Sequence, residues 1–222
     1  MIEKAFLTGC DNKTEWMLEW WFKEYSKHND IPVIFADFGI TNNMKKYVKK
    51  AFKHTITLNP HMTKGWFLKP QSMIEASKIA KQVCWVDTDC HILTDISDIF
   101  KHVVPNKLSM GEDKPWSKIR GEKWHNSGVV LFEGLPQILK QWRQEVEKNP
   151  QVGDQEVLHS IVRKDSLTRH TYIEDLPNEY NWLRLQFDQG DDSKKKKIMH
   201  WTGPKGKNRI KRLIEKNATV SE

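Results

Sequence analysis

The chain has 222 residues, 29% of them charged, which is enough for one sizeable α/β domain or two small ones. No window approaches 18 consecutive apolar residues, which argues against a helical membrane span. The formal net charge of +7 is local: residues 193–222 hold ten Lys/Arg and two Asp/Glu, and the rest of the chain holds 26 and 27, so a near-neutral body carries a basic end and lacks the composition of a general nucleic-acid-binding protein.

In chain order, MIEKAFLTGCDNK lacks the basic, apolar and small-residue sequence of a signal peptide. Its KAFLTGC reads as a buried first strand that ends in a polar cluster over residues 8–14. Residues 15–28 carry Trp16, Leu18, Trp20, Trp21, Phe22 and Tyr25, the wide apolar face of a helix. IPVIFADFGI is a second strand ending near Asp37, residues 44–54 a basic helix, and HTITL a third strand. Residues 70–81 read as a helix and VCWV as a fourth strand. The second half is more mixed: SGVVLF is a strand, 135–148 and 154–162 are helices, and TYIEDLP and KIMHW are short strands. Residues 207–217 form a terminal helix with Ile210, Leu213 and Ile214 on one side. No repeat is visible, and Lys194–Lys197 is the only low-complexity tract.

Alternating strands and helices, with apolar runs continuous along the strands, predict a single α/β domain. Its mostly parallel central sheet carries helices on both faces. In such sheets ligands bind beyond the carboxyl ends of the strands. Residues 8–12, Asp37 and residues 87–89 are the polar stretches at those ends.

Asp87 and Asp89 follow the fourth strand directly, in VCWVDTDCHIL. In an extended chain residues i and i+2 face the same way, so the two carboxylates converge and Thr88 turns away. Paired carboxylates raise each other's pKa unless a cation lies between them, and oxygen ligands suit Mg²⁺ or Mn²⁺. The competing explanation is a solvated turn in which Asp89 caps the next helix. Placement after a buried strand favours the metal. His200, before the Gly- and Lys-rich GPKGK, supplies a third ligand acceptable to Mn²⁺. In a chain with nine histidines a lone one is ordinarily structural, but Gly203 and Gly206 let backbone approach a phosphate there, and Lys205 or Lys207 can neutralise it.

Taken together, FLTGCDN, WFLKP, WVDTDCHILTDISDIF, HNSGVVLF, GDQEVLH, LPNEYNW and HWTGPKGK resemble, in order and over most of the chain, a GT-A-fold glycosyltransferase. The likeness is greatest to glycosyltransferase family 8 and the glycogenin-like group. The resemblance implies a Rossmann-like GT-A domain that moves a hexose from a nucleoside-diphosphate sugar, a UDP-sugar, to an acceptor that the resemblance does not identify, a glycan or lipid-linked glycan being favoured. It implies that Thr8, Asp11 and Asn12 hold the nucleotide, with Asp37 near the base or ribose. Thr88 and Lys69 fall among the nucleotide or phosphate contacts, and Lys205 meets the diphosphate. Asn126, Ser127, Asp154 and Gln155 line the donor sugar, and Asp87, Asp89 and His200 bind Mn²⁺ or Mg²⁺. Asn126 and Ser127 also fit a simple turn before a strand, Asn181 a turn cap, and Asp154 an N-cap of a helix beginning at Gln155. Residues 1–95 are then the nucleotide-sugar half, 96–204 the sugar and acceptor half, and 205–222 a basic terminal helix. The sequence departs from the family's KPW lid, reading GPKGK instead, and is short for the group.

Asp154 and Gln155 are the catalytic candidates. Asp154 is a general base if transfer inverts the anomeric centre; with Gln155 it is an electrostatic partner if transfer retains it, as the resemblance favours. A nucleotidyltransferase would want a Gly/Arg/Lys-rich loop after the first strand, where this chain has TGCDNKT. The basic end leaves open a DNA-modifying transferase, a non-catalytic nucleic-acid binder, or peripheral contact with an anionic membrane. Cys10, Cys84 and Cys90 are odd in number and form no C-x-x-C pair, which points to a reducing, cytoplasmic compartment.

Overall fold

The structure is a computed structural model that describes residues 1–58, 65–149, 151–163, 166–193 and 195–219. Lys194 of the lysine tract and the last three residues of the basic end lie outside the described residues. The strands are β1 (Ile2–Cys10), β2 (Val33–Asp37), β3 (His54–Thr57), β4 (Ala80–Val86), β5 (Cys90–Ile92), β6 (Leu108–Glu112), β7 (His125–Glu133), β8 (Ile173–Leu176), β9 (Trp182–Leu183) and β10 (Ile198–His200). The helices are α1 (Leu18–Ser26), α2 (Asn42–Ala51), α3 (Lys69–Ala76), α4 (Lys114–Arg120), α5 (Gln137–Lys148), α6 (Asp154–Val162), α7 (Ser166–Tyr172), α8 (Arg184–Asp188) and α9 (Gly203–Thr219).

The main sheet runs β3-β2-β1-β4-β7-β6-β8 and is mostly parallel. The exception is β7, antiparallel to both β4 and β6, with Val86 opposite Val129 and Glu112 opposite His125. That reversal brings the start of β7 to the same edge as the carboxyl ends of β1, β4 and β6. A small second sheet, β5-β10-β9, sets His200 opposite Cys90.

The strands read as unbroken apolar runs because each face of the sheet has its own core. Phe6, Phe35, Cys84 and Val129 face one core with Trp21 and Tyr25 of α1, Val48 of α2 and Ile210 of α9. Their chain neighbours Leu7, Ile34, Trp85 and Val130 face the other, with Met73 of α3, Trp142 of α5 and Val157 of α6. Thr41 starts α2 by accepting from the Met44 backbone at 3.3 Å.

Several boundaries differ from the sequence reading. The helix expected over 15–28 begins as a 3₁₀ turn at Glu15–Met17 before α1. The helix expected over 70–81 stops at Ala76, because Ala80 already pairs with Ile2 and β4 is longer than VCWV. In TYIEDLP, Thr171 and Tyr172 end α7 and the strand starts at Ile173. The elements β5, β6, β9, α4, α7 and α8 were not anticipated.

Candidate active site

A cleft of about 470 Å³ opens along the edge where these strand ends meet. The strand order lays out its wall: Phe38 after β2, Gly9 and Asp11 at β1, Asp87 to Asp89 after β4, Asn126 to Gly128 at the start of β7, then Asp113 and Trp116 beyond β6.

At the centre, β4 ends at Val86, and residues 87–89 form a turn in which the Cys90 amide donates to the Asp87 carbonyl. The alternation expected of an extended strand therefore does not hold, and Thr88 is not turned away: it lines the cleft with its neighbours. The two carboxylates take different partners. Asp87 Oδ1 accepts from Trp85 Nε1 at 2.6 Å and lies 3.0 Å from Lys69 Nζ. Asp89 Oδ1 lies 3.1 Å from His200 Nε2, and Asp87 Oδ2 lies 3.8 Å from the same nitrogen. Asp89 caps no helix. Its ligand atom, His200 nitrogen and Cys90 Sγ lie within 4.8 Å of one another, with Asp87 alongside that group.

The electrostatics separate the two acids. Burial pushes the Asp87 carboxyl up, and Lys69 only partly offsets it. Burial acts on Asp89 the same way, but His200 outweighs it and holds Asp89 below the ordinary range. Burial disfavours charge on His200, and Asp89 more than compensates, raising it. Burial pushes the Cys90 thiol well up, so it stays protonated and is a poor ligand for a hard cation.

The His200 ring is held from two sides. Its Nδ1 lies 3.0 Å from Asn181 Oδ1, which directs Nε2 toward the carboxylates. A Cβ on Gly128 would sit 2.1 Å from His200 Cε1, so the glycine of HNSG is what admits the ring. Two carboxylate oxygens and an imidazole nitrogen so oriented fit Mn²⁺ or Mg²⁺ by donor chemistry.

Lys69, buried at the start of α3, ties the metal side to the rest of the cleft. It lies 3.2 Å from Asp154 Oδ2, donates to the Ser127 carbonyl at 3.1 Å, and pairs with Asp87. Burial disfavours its charge, yet Asp154 and Asp87 raise its pKa overall. Ser127 Oγ donates to Asp154 Oδ2 at 2.9 Å. Asp154 is the first residue of α6, not its N-cap: Gly153 holds that position, and no side chain caps the helix. Next to this group runs an amide chain. Asn181 Nδ2 donates to Asn126 Oδ1 at 3.0 Å, Asn126 Nδ2 donates to Gln155 Oε1 at 3.0 Å, and Gln155 Nε2 donates to Asp113 Oδ2 at 3.1 Å.

Of the residues singled out from sequence, the cleft brings together Asp11, Lys69, Asp87, Thr88, Asp89, Asn126, Ser127, Asp154, Gln155 and His200. Four lie outside its wall. Thr8 is fully buried with an unpartnered hydroxyl, and Asn12 is exposed. Asp37 accepts from the Gly39 and Ile40 amides at 2.8 and 2.9 Å, a turn-forming role. Lys205 is exposed; Lys207, one helical step on, lines the cleft instead. Sequence reasoning missed Asp113 and Trp116, whose only signal was an Asp two residues before a Pro, a helix start. It left Asn181 between the family-like LPNEYNW segment and a turn cap; the side chain links His200 to Asn126.

The sequence matches no protein-family model and no curated protein significantly. Solved structures do match. The galactosyltransferase LgtC, in complex with donor and acceptor sugar analogs, superposes with a TM-score of 0.59 at 15% identity, over 90% of this chain and 87% of that one. Mouse xyloside xylosyltransferase 1 gives 0.58 at 11% identity, over 90% and 97%. A glycosyltransferase involved in glycosylation of the major capsid of PBCV-1 gives 0.58 at 13% identity, over 96% and 99%. This chain has their fold. It is the GT-A fold expected from the ordered motifs. The neighbours' names include both galactosyl and xylosyl transfer, so the fold does not dictate the sugar.

Proposed function

We propose that the chain is a glycosyltransferase that takes a hexose from a nucleoside-diphosphate sugar, a UDP-sugar, with Mn²⁺ or Mg²⁺ held by Asp87, Asp89 and His200. The observation that carries this is the meeting of Asp89 and His200, with Asp87 beside them, in a cleft at the strand ends of a GT-A fold. Residues 1–95 then serve the nucleotide, with Asp11 and the β1 and β2 ends at the nucleoside, and residues 96–204 serve the sugar. When bound, the cation neutralises charge that develops on the departing diphosphate. Lys207, on the first turns of α9, adds a second positive charge on that side.

Asn126, Ser127 and Gln155 offer hydrogen bonds to the sugar hydroxyls. Asp154 already accepts from Ser127 and pairs with Lys69 through one oxygen. That fits an electrostatic partner to a carbon gaining positive charge better than a base awaiting a hydroxyl, and so favours retention. In that course the C1–phosphate bond breaks, the acceptor oxygen bonds C1 on the same face, and the leaving phosphate oxygen takes the acceptor proton.

Part of the basic end is engaged within the chain. Lys197 donates to Asp98 at 2.6 Å, Arg209 to Asp188 at 2.7 Å, and Lys211 lies over the Trp16 ring. This favours a role in the fold over a free strip for DNA. No helix among the described residues is long and apolar enough to cross a membrane. With three free, buried cysteines we place the protein in the cytoplasm.

The test is hydrolysis of a panel of sugar nucleotides with Mn²⁺, by wild type and Asp89→Asn. Wild type hydrolyses at least one UDP-sugar, and Asp89→Asn falls by about 10²-fold or more while keeping its circular dichroism. A folded Asp89→Asn protein with full activity removes the metal role; no hydrolysis of any sugar nucleotide removes the transferase.

A further inference from the structure

At the β6 end of the cleft an aromatic surface stands beyond the groups assigned to the donor. Trp116 of α4 is 37% exposed and lines the cleft. It is held in place from behind. Its ring lies 6.2 Å from that of Trp124, and Trp124 stacks on His159 at 3.7 Å. The Arg120 guanidinium lies 5.0 Å from the Trp116 ring centre and 5.8 Å from that of Trp124, gluing the two indoles together. Asp113 fixes the position of the tier relative to the sugar groups. One of its oxygens caps α4 by accepting from the Trp116 amide at 3.2 Å, and the other accepts from Gln155 and Asn126 at 3.1 and 3.2 Å.

The strand order places this ring. The proposed arrangement puts the nucleoside at β2 and β1, the cation at β4 and the sugar at β7, and Trp116 stands one strand further on, after β6. A diphosphate sugar laid along that edge in this order has Trp116 beyond its sugar end.

The charge there selects which kind of molecule can meet that ring. Asp113, Asp154 and Glu156 supply the carboxylates on this part of the wall, and Leu183 and Leu185 supply apolar surface. Among the described residues the lysines that line the wall are Lys69 and Lys207, which belong to the Asp87–Asp154 pair and the diphosphate side; Lys114 and Lys118 of α4 stay off the wall, and Arg120 lies against the two indole rings. A phosphodiester chain would meet the Asp113 and Glu156 carboxylates there, while Asp154 already has Lys69 as its partner. A pyranose has an apolar ring face for the indole and hydroxyls for the carboxylates.

We propose that Trp116 is the stacking platform of an acceptor subsite for an uncharged pyranoside. This rests on the glycosyltransferase reading and names its acceptor class. The test is a printed glycan array probed with wild type, Trp116→Phe and Trp116→Ala in UDP and Mn²⁺, with a 20-nucleotide duplex DNA as the competing ligand and melting curves to verify folding. Wild type binds uncharged glycans, Trp116→Ala loses about tenfold in apparent affinity, and Trp116→Phe retains most of it. With the best array glycan as acceptor, the ratio of transfer to donor hydrolysis falls in Trp116→Ala. A blank array, binding of DNA alone, or glycan binding indifferent to Trp116→Ala overturns the platform. So does an equal fall of transfer and hydrolysis, which assigns the ring to the donor. Glycan binding that depends on Trp116 without hydrolysis of any sugar nucleotide overturns the transferase and leaves the subsite standing.

Discussion

At the scale of single residues the site depends on how His200 is held. An imidazole whose Nδ1 has a fixed partner presents Nε2 to a cation in one tautomer and one orientation. Asn181 supplies that partner and is itself tied to Asn126. Asn181→Ala leaves the buried His200 ring nitrogen unpaired and removes one of the two donors to Asn126 Oδ1, which keeps the Gly128 amide. It is expected to lower stability by about 1–3 kcal/mol and Mn²⁺ affinity by about 10- to 100-fold. Calorimetric Mn²⁺ titration of the folded variant checks this, and an unchanged affinity dismisses the coupling. Gly128→Ala acts on the same ring by collision, since its Cβ would fall 2.1 Å from Cε1. Gly128→Ala is expected to go further and abolish Mn²⁺ binding in the same titration. Asp87, Asp89 and His200 stood out in the sequence because a carboxylate pair after a buried strand and a His before a Gly/Lys loop each have a chemical reason. Asn181, Gly128 and Asp113 act through contacts 13 to 72 residues away in sequence, which no local pattern records.

At the scale of elements, legibility followed burial pattern. β1, β2 and β7 are continuous apolar runs and were found. β6 reads Leu-Ser-Met-Gly-Glu, with two strong apolar residues in five, and is a strand because β7 and β8 pair with it on either side. The short α4 follows from a cap and a proline and not from any periodicity. One contact between elements carries a pH signature. His159 of α6 stacks on Trp124 with Nε2 3.1 Å from Glu122. Burial lowers its pKa, as do Arg169 and Arg163, and Glu122 offsets this only in part. The folded pKa is therefore below the unfolded value of about 6.5, and between the two the unfolded chain binds more protons. Stability from this contact is complete above that value and declines as pH falls through it. The melting-temperature advantage of wild type over His159→Gln should be largest near pH 8 and shrink toward pH 5. An advantage that stays level or grows on acidification contradicts the assignment.

At the scale of the whole molecule, the cleft is a seam between parts that the sequence presents far apart. Its wall draws on Asp11 after β1, Lys69 on α3, Asn126 on β7, Asp154 on α6, and His200 and Lys207 near the chain's end. The ordered motifs made the alignment of these parts legible, and the reversal of β7 did not show, because antiparallel and parallel buried strands have the same apolar composition. A ligand that bridges such a seam binds only the assembled sheet, so it stabilises the fold by mass action. At a free concentration 100 times its Kd the gain is about 2.7 kcal/mol, and for a chain of this length each kcal/mol raises the melting temperature by about 2–4 °C. UDP with Mn²⁺ is therefore expected to raise the melting temperature by about 5–10 °C at that saturation. Because the cation links the diphosphate to Asp89 and His200 in the proposed site, UDP with EDTA should give little of that rise, and Asp89→Asn should lose it with Mn²⁺ present. A shift of full size in EDTA would mean that the nucleotide holds the seam without the metal, and the roles given to Asp87, Asp89 and His200 would have to be withdrawn while the cleft itself remained.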